Sequence, residues 1–135
     1  MKRIMHMLHT LDAKVGEEAS TVRLGIKWAT VEYGDRLALC VCTDRCEGMV
    51  GGQIDPVECG VAGSCKNCTI CGEGSVEDVW VGRFQDIPAR VLRNAHEVRS
   101  REYYGLLDSM TKAYGDAFDD DEGKLVTVVE YYRES

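Results

Sequence analysis

The seven cysteines of this chain all fall between Cys40 and Cys71. Cys42 and Cys46 are separated by three residues, while Cys65, Cys68 and Cys71 are each separated by two. Thiolates at such spacings suit zinc, which takes four ligands in a tetrahedron, often from two close pairs on separate turns. Cys68-Thr69-Ile70-Cys71-Gly72 has the form of one such turn, because a glycine after the second cysteine lets backbone N–H groups approach the sulfur. Cys42 and Cys46 sit at the end of one strand-like run, and Cys68 and Cys71 precede another. If those strands pair, both cysteine pairs meet at one place. The expected ligands are therefore Cys42, Cys46, Cys68 and Cys71, with Cys59 and Cys65 as alternates. Four thiolates leave no open coordination position, so the zinc expected here is structural. Two other readings stay open: free thiols, and an iron–sulfur cluster, since three cysteines at two-residue spacing resemble ferredoxin ligation. Cys40 reads as a small core residue.

Arginine is the second chemistry-bearing type. Residues 83–101 hold five arginines (83, 90, 93, 99 and 101) against Asp86 and Glu97, a local +3 in a chain of net charge −7. The overall balance argues against non-specific wrapping of duplex nucleic acid, which depends on neutralising phosphates. A local basic groove for a single strand or a small ligand remains open. Arg23 offers paired donors for a phosphate or a base edge, or for a salt bridge on the surface. Arg83 follows Gly82 at a strand end, where the missing side chain permits close ligand approach. Arg90, Arg93, Arg99 and Arg101 read as a solvated helix face that could also wall a groove. Trp28 and Tyr33 could stack bases or pack in a core. His96 reads as a capping or packing residue, with acid–base chemistry as the sharper alternative. The acidic run Asp119–Glu122 reads as a solubilising loop.

These residues need elements to position them. Residues 4–11 suit a first strand or a short helix, Thr21–Leu24 a strand, and Arg36–Cys42 a strand buried on both faces. Residues 43–74 lose all periodicity and contain seven glycines, so they read as an irregular, cysteine-rich insertion. Val76–Phe84 is a strand. Asp86 can cap a helix with Pro88 in its first turn, and Ile87, Val91, Leu92 and Ala95 share one face of it. Tyr103, Leu106, Leu107, Met110, Ala113 and Tyr114 mark a clearer helix, with Ser100 as its cap and Gly115 as its stop. Lys124–Tyr132 is a final strand. The order predicts an α+β fold with a mainly antiparallel sheet or small barrel, as a single domain over residues 1–135. No run is long enough to span a membrane. The start is basic and apolar, but His6 and His9 break it and no small-residue cleavage site follows. A cytoplasmic location is expected, and the odd cysteine count agrees with that better than with a secreted disulfide framework.

Three stretches resemble the ASCH domain, a relative of the PUA-like RNA-binding barrel. They are Gly16-Glu17-Glu18-Ala19-Ser20-Thr21-Val22-Arg23 with the Gly34-Asp35 turn, Trp80-Val81-Gly82-Arg83-Phe84-Gln85-Asp86-Ile87-Pro88, and His96 followed by Gly105-Leu106-Leu107, Tyr114-Gly115 and Val126–Val129. The resemblance covers most of the chain outside 43–74. It implies a small PUA-like β-barrel with flanking helices and a cleft that binds RNA or a nucleotide, lined here by Thr21, Arg23 and Arg83. The family signature is Gly-x-Lys-x-x-Glu-x-Arg. Gly16 and Arg23 match it, whereas Glu18 stands at the lysine position and Thr21 at the glutamate position. Members with threonine there hydrolyse the acetyl amide of N4-acetylcytidine using the lysine, the threonine and a later glutamate, a position that falls on Glu102. A carboxylate at Glu18 cannot supply the charge of that lysine, so the resemblance carries over binding and leaves catalysis undecided. The alternatives are a hydrolase of RNA or a modified nucleoside, using Glu18, Thr21 and Glu102, and a protein-interaction module that presents the zinc insertion to a partner.

Overall fold

The computed structural model describes residues 3–8, 13–42, 68–95 and 98–135. Five strands form one sheet: β1 (Arg3–Leu8), β2 (Glu18–Leu24), β3 (Arg36–Cys42), β4 (Cys68–Arg83) and β5 (Leu125–Arg133). Their order across the sheet is β1-β3-β4-β5-β2, with β1 parallel to β3 and every other neighbour antiparallel. Two helices follow β4, a single turn α1 (Ala89–Leu92) and the longer α2 (Tyr103–Tyr114). The fold is α+β with a curled, half-barrel sheet, as the element order predicts. Among the described residues no helix is long and apolar enough to cross a membrane.

The curl comes from β4. Its first part pairs with β3 and its last part with β5, and each ladder contains a register shift, between Leu39 and Cys40 on β3 and between Val76 and Asp78 on β4 itself. In each case β4 supplies the extra residue, Cys71 and then Glu77. Bulges of this kind bend a strand and increase its twist. All five strands contribute to one concave core through Met5, Ala19, Leu37, Leu39, Val76, Val129 and Tyr131, with Trp28 and Val31 packed onto them. The opposite face carries Val22, Leu24, Trp80, Val126 and Val128, covered by Leu106, Met110 and Tyr114 of α2 and by Phe84, Val91 and Phe118. Strand β5 is therefore buried on both sides, which is why Val126–Val129 is a run of buried β-branched residues instead of an alternation.

Several boundaries differ from the sequence expectation. β4 begins at Cys68, so residues 68–74 belong to a strand and not to an irregular insertion; residues 43–67 lie outside the described set. The glycines and cysteines of residues 68–74 hide a strand that is specified by its partner, the buried run of β3. The helix expected after Asp86 shrinks to one turn. Pro88 is its N-cap, and Asp86 ends a 3-10 turn (Phe84–Asp86) and pairs with Arg83 instead of capping. The expected cap of α2 moves from Ser100 to Glu102, because a 3-10 turn over Val98–Arg101 takes up the preceding residues.

Candidate functional site

Strand alternation settles which predicted residues share a face. Arg23 lies opposite Thr127, which lies opposite Val81; Thr21 lies opposite Val129; and Arg83 lies opposite Leu125. Residues directly opposite in an antiparallel ladder point to the same side. Thr21, Arg23 and Arg83 are thus all on the concave face. Their exposure differs sharply. Thr21 and Arg23 are buried at 2% and 3%, whereas the Arg83 side chain is 58% exposed.

The Arg23 guanidinium carbon sits 5.7 Å from the centroid of the buried Trp28 ring, a cation–π arrangement. On the other, helix-covered face of the same strand the Tyr114 hydroxyl accepts a hydrogen bond from the Leu24 N–H at 3.2 Å, and burial raises the pKa of that phenol. Toward the end of β4 and the start of β5 the concave face opens. Val81 and Leu125 are exposed apolar residues, and Arg83 beside them makes a solvent-exposed ion pair with Asp86 at 3.4 Å. Such a pair contributes at most about 1 kcal/mol and is readily exchanged for another anion. A ligand can reach this rim of one cation and two aliphatic side chains.

The helix-side face carries a different site. An open cavity of about 190 Å³ is lined by Glu18, Glu77, Asp78, Asn94 and Glu130, together with Ala19 and Tyr131. Glu130 is held by Arg90 at 3.3 Å, yet its pKa is raised, first by burial and then by Asp78 opposite it, against the pull of Arg90. No motif marks this group, because its acids come from three separate strands and only the ladder brings them together. Its geometry also bears on hydrolysis. Glu18 lies on this face and Thr21 on the other, three residues apart on one strand, while Glu102 is exposed at the start of α2. The three groups considered for catalysis do not converge in this structure.

At the far end of the sheet Cys42 lies directly opposite Cys68 in the β3–β4 ladder. The premise of the metal expectation, that the two cysteine-bearing strands pair, therefore holds. Cys71 is exposed at the bulge, where its thiol donates to the Leu39 carbonyl at 3.5 Å, and Cys40 is buried as expected of a core residue. Cys46, Cys59, Cys65 and His96 lie outside the described residues. Among the described residues no group of three or more His, Cys, Asp or Glu side chains is placed to hold a metal ion. Of the two aromatics considered for stacking, Trp28 is core and Tyr33 is exposed. Arg90, Arg93 and Arg101 are exposed.

No protein-family model, curated protein or solved structure matches this chain.

Proposed function

We propose that this chain is a binding module of ASCH type that takes RNA or a nucleotide at the open rim of the concave sheet face. The observation that carries the reading is the exposure of Arg83 on the same face as the exposed Val81 and Leu125, in line with the buried Arg23. A guanidinium offers a phosphate two parallel donors, and the aliphatic pair offers a base or sugar an apolar seat. One accessible guanidinium at this rim of an acidic chain favours a single strand or small ligand over duplex DNA. Binding is favoured over hydrolysis because Glu18 and Thr21 lie on opposite faces of β2. The test is a titration of a fluorescent single-stranded RNA at low and moderate salt, with the same samples run on a denaturing gel. Salt-sensitive binding of intact RNA supports the module. Shortened RNA would replace it with a nuclease, and no binding would remove general RNA recognition.

The register opposing Cys42 and Cys68 favours a second, compatible component: a structural zinc held by Cys42, Cys46, Cys68 and Cys71. Such a metal would lock the open end of the β3–β4 pair and contribute its binding free energy to folding. Native mass spectrometry is expected to find about one zinc per chain. An apo mass with intact folding after reducing purification would exclude it.

A further inference from the structure

Tyr131 is fully buried in the concave core, and its hydroxyl has no hydrogen-bond partner among the described residues. Buried polar atoms are almost always bonded, because the hydration lost on folding must be replaced. A phenylalanine would fill the same space without that cost. Burial keeps the phenol protonated against the opposing pull of Arg23 and Arg133, so the group is a neutral donor at neutral pH.

The cover over this core is the segment 25–34. Trp28 and Val31 point inward and are buried, whereas Ile26 and Tyr33 are exposed. Gly25 and Gly34 bracket the segment with φ of +78° and +86°, the left-handed region that glycine enters at no steric cost. Among the described residues its backbone bonds to the sheet lie at these two ends. The Gly25 N–H donates to Leu125 and the Gly34 N–H to Val76, at 2.9 and 2.8 Å. Between them the Ala29 N–H donates to Ile26 and the Val31 N–H to Trp28. The buried Trp28 and Val31 seat the middle of the segment on the core.

We propose that residues 25–34 form a lid hinged at Gly25 and Gly34, and that the Tyr131 hydroxyl beneath it donates to an acceptor oxygen of the nucleotide ligand. The inference rests on the nucleotide-binding reading and extends it from the rim to the interior. The shared chemistry is an acceptor oxygen, which a ring carbonyl or a phosphate can supply.

The test compares wild type with Tyr131→Phe, first without ligand. The variant is expected to melt at or above the wild-type temperature, and hydrogen exchange in 26–33 is expected to be faster than in β4 and β5. A melting point lowered by several degrees, or exchange in 26–33 only by global unfolding, would overturn the lid. The probes are then uridine, which presents two ring carbonyls, uridine 5′-monophosphate and inorganic phosphate. At least one is expected to slow exchange in 26–33 and to bind Tyr131→Phe at least tenfold more weakly. Uridine alone acting so assigns the carbonyl, and inorganic phosphate alone assigns the phosphate. A probe that binds both proteins equally, with weakening only in Arg83→Ala, would overturn the interior site and leave the rim reading standing. If RNA binds but no small probe does, the interior site is likewise overturned; if neither binds, both readings fall.

Discussion

Replacing Thr127 by valine tests how the concave face is closed. Thr127 is fully buried on β5, and its hydroxyl donates to the Gly25 carbonyl at 2.7 Å. Valine keeps the shape and the β-branch, so packing and strand propensity are nearly conserved, and the loss is the hydrogen bond. A net intramolecular bond contributes about 0.5–1.5 kcal/mol, and a carbonyl left buried without a donor costs about 1–3 kcal/mol. Gly25 is half-buried, so water can partly replace the donor. The expected loss is therefore about 1–1.5 kcal/mol, or a fall of about 3–6 °C in melting temperature for a domain of this size. Urea denaturation followed by tryptophan fluorescence reads the global term, and hydrogen exchange at 25–31 reads the local one. Thr127→Ser keeps the hydroxyl and loses a methyl group, so it isolates the bond. A valine variant as stable as wild type, or a serine variant exchanging faster at 25–31 than the valine variant, would refute the claim that this bond fastens the segment.

Other outcomes follow from the same contacts. Ser20→Ala removes a buried hydroxyl that donates to the Val91 carbonyl at 2.7 Å, and is expected to cost about 1–2 kcal/mol in urea titrations while loosening α1 from β2. Glu130 has its pKa raised in the fold, so the folded state holds that proton more tightly than the unfolded chain. Its contribution is fully favourable below the unfolded pKa and is lost as pH rises through the folded one. Glu130→Gln should therefore be at least as stable as wild type at pH 7, with the difference shrinking as pH falls into the carboxylate range; a less stable variant at pH 7 would mean the Arg90 pair outweighs burial. A strong chelator is expected to lower the melting temperature of wild type but not of Cys68→Ser, and equal responses would count against zinc at these cysteines.

Much of the scaffold is legible in the sequence where burial is periodic. The stripe from Tyr103 to Tyr114 with its Gly115 stop gives α2, and the apolar runs at Arg36–Cys42 and Leu125–Tyr132 give two central strands. Cys68–Ser75 is not legible, because glycines and cysteines carry no strand signal and the segment is a strand only through β3. Chain spacing alone does not show that Thr21, Arg23 and Arg83 share a face, since β5 must lie between β2 and β4 for that to be so. Nor does it reveal that Arg23 is buried: a guanidinium reads as surface until Trp28 folds over it. The carboxylate cavity of Glu18, Asp78 and Glu130 is invisible for the same reason, each acid being unremarkable on its own strand.

The rim reading is tested most directly by comparing Arg83→Ala with Arg90→Ala in the same RNA titration. Both arginines are exposed and each makes one weak ion pair, but they lie on opposite sides of the sheet. Arg83→Ala is expected to weaken binding several-fold and to lower the salt slope by about 0.7, the value for one lost phosphate contact on a single strand. Arg90→Ala is expected to leave both unchanged. Loss of binding in Arg90→Ala with Arg83→Ala unaffected would move the ligand to the helix side and contradict the assignment.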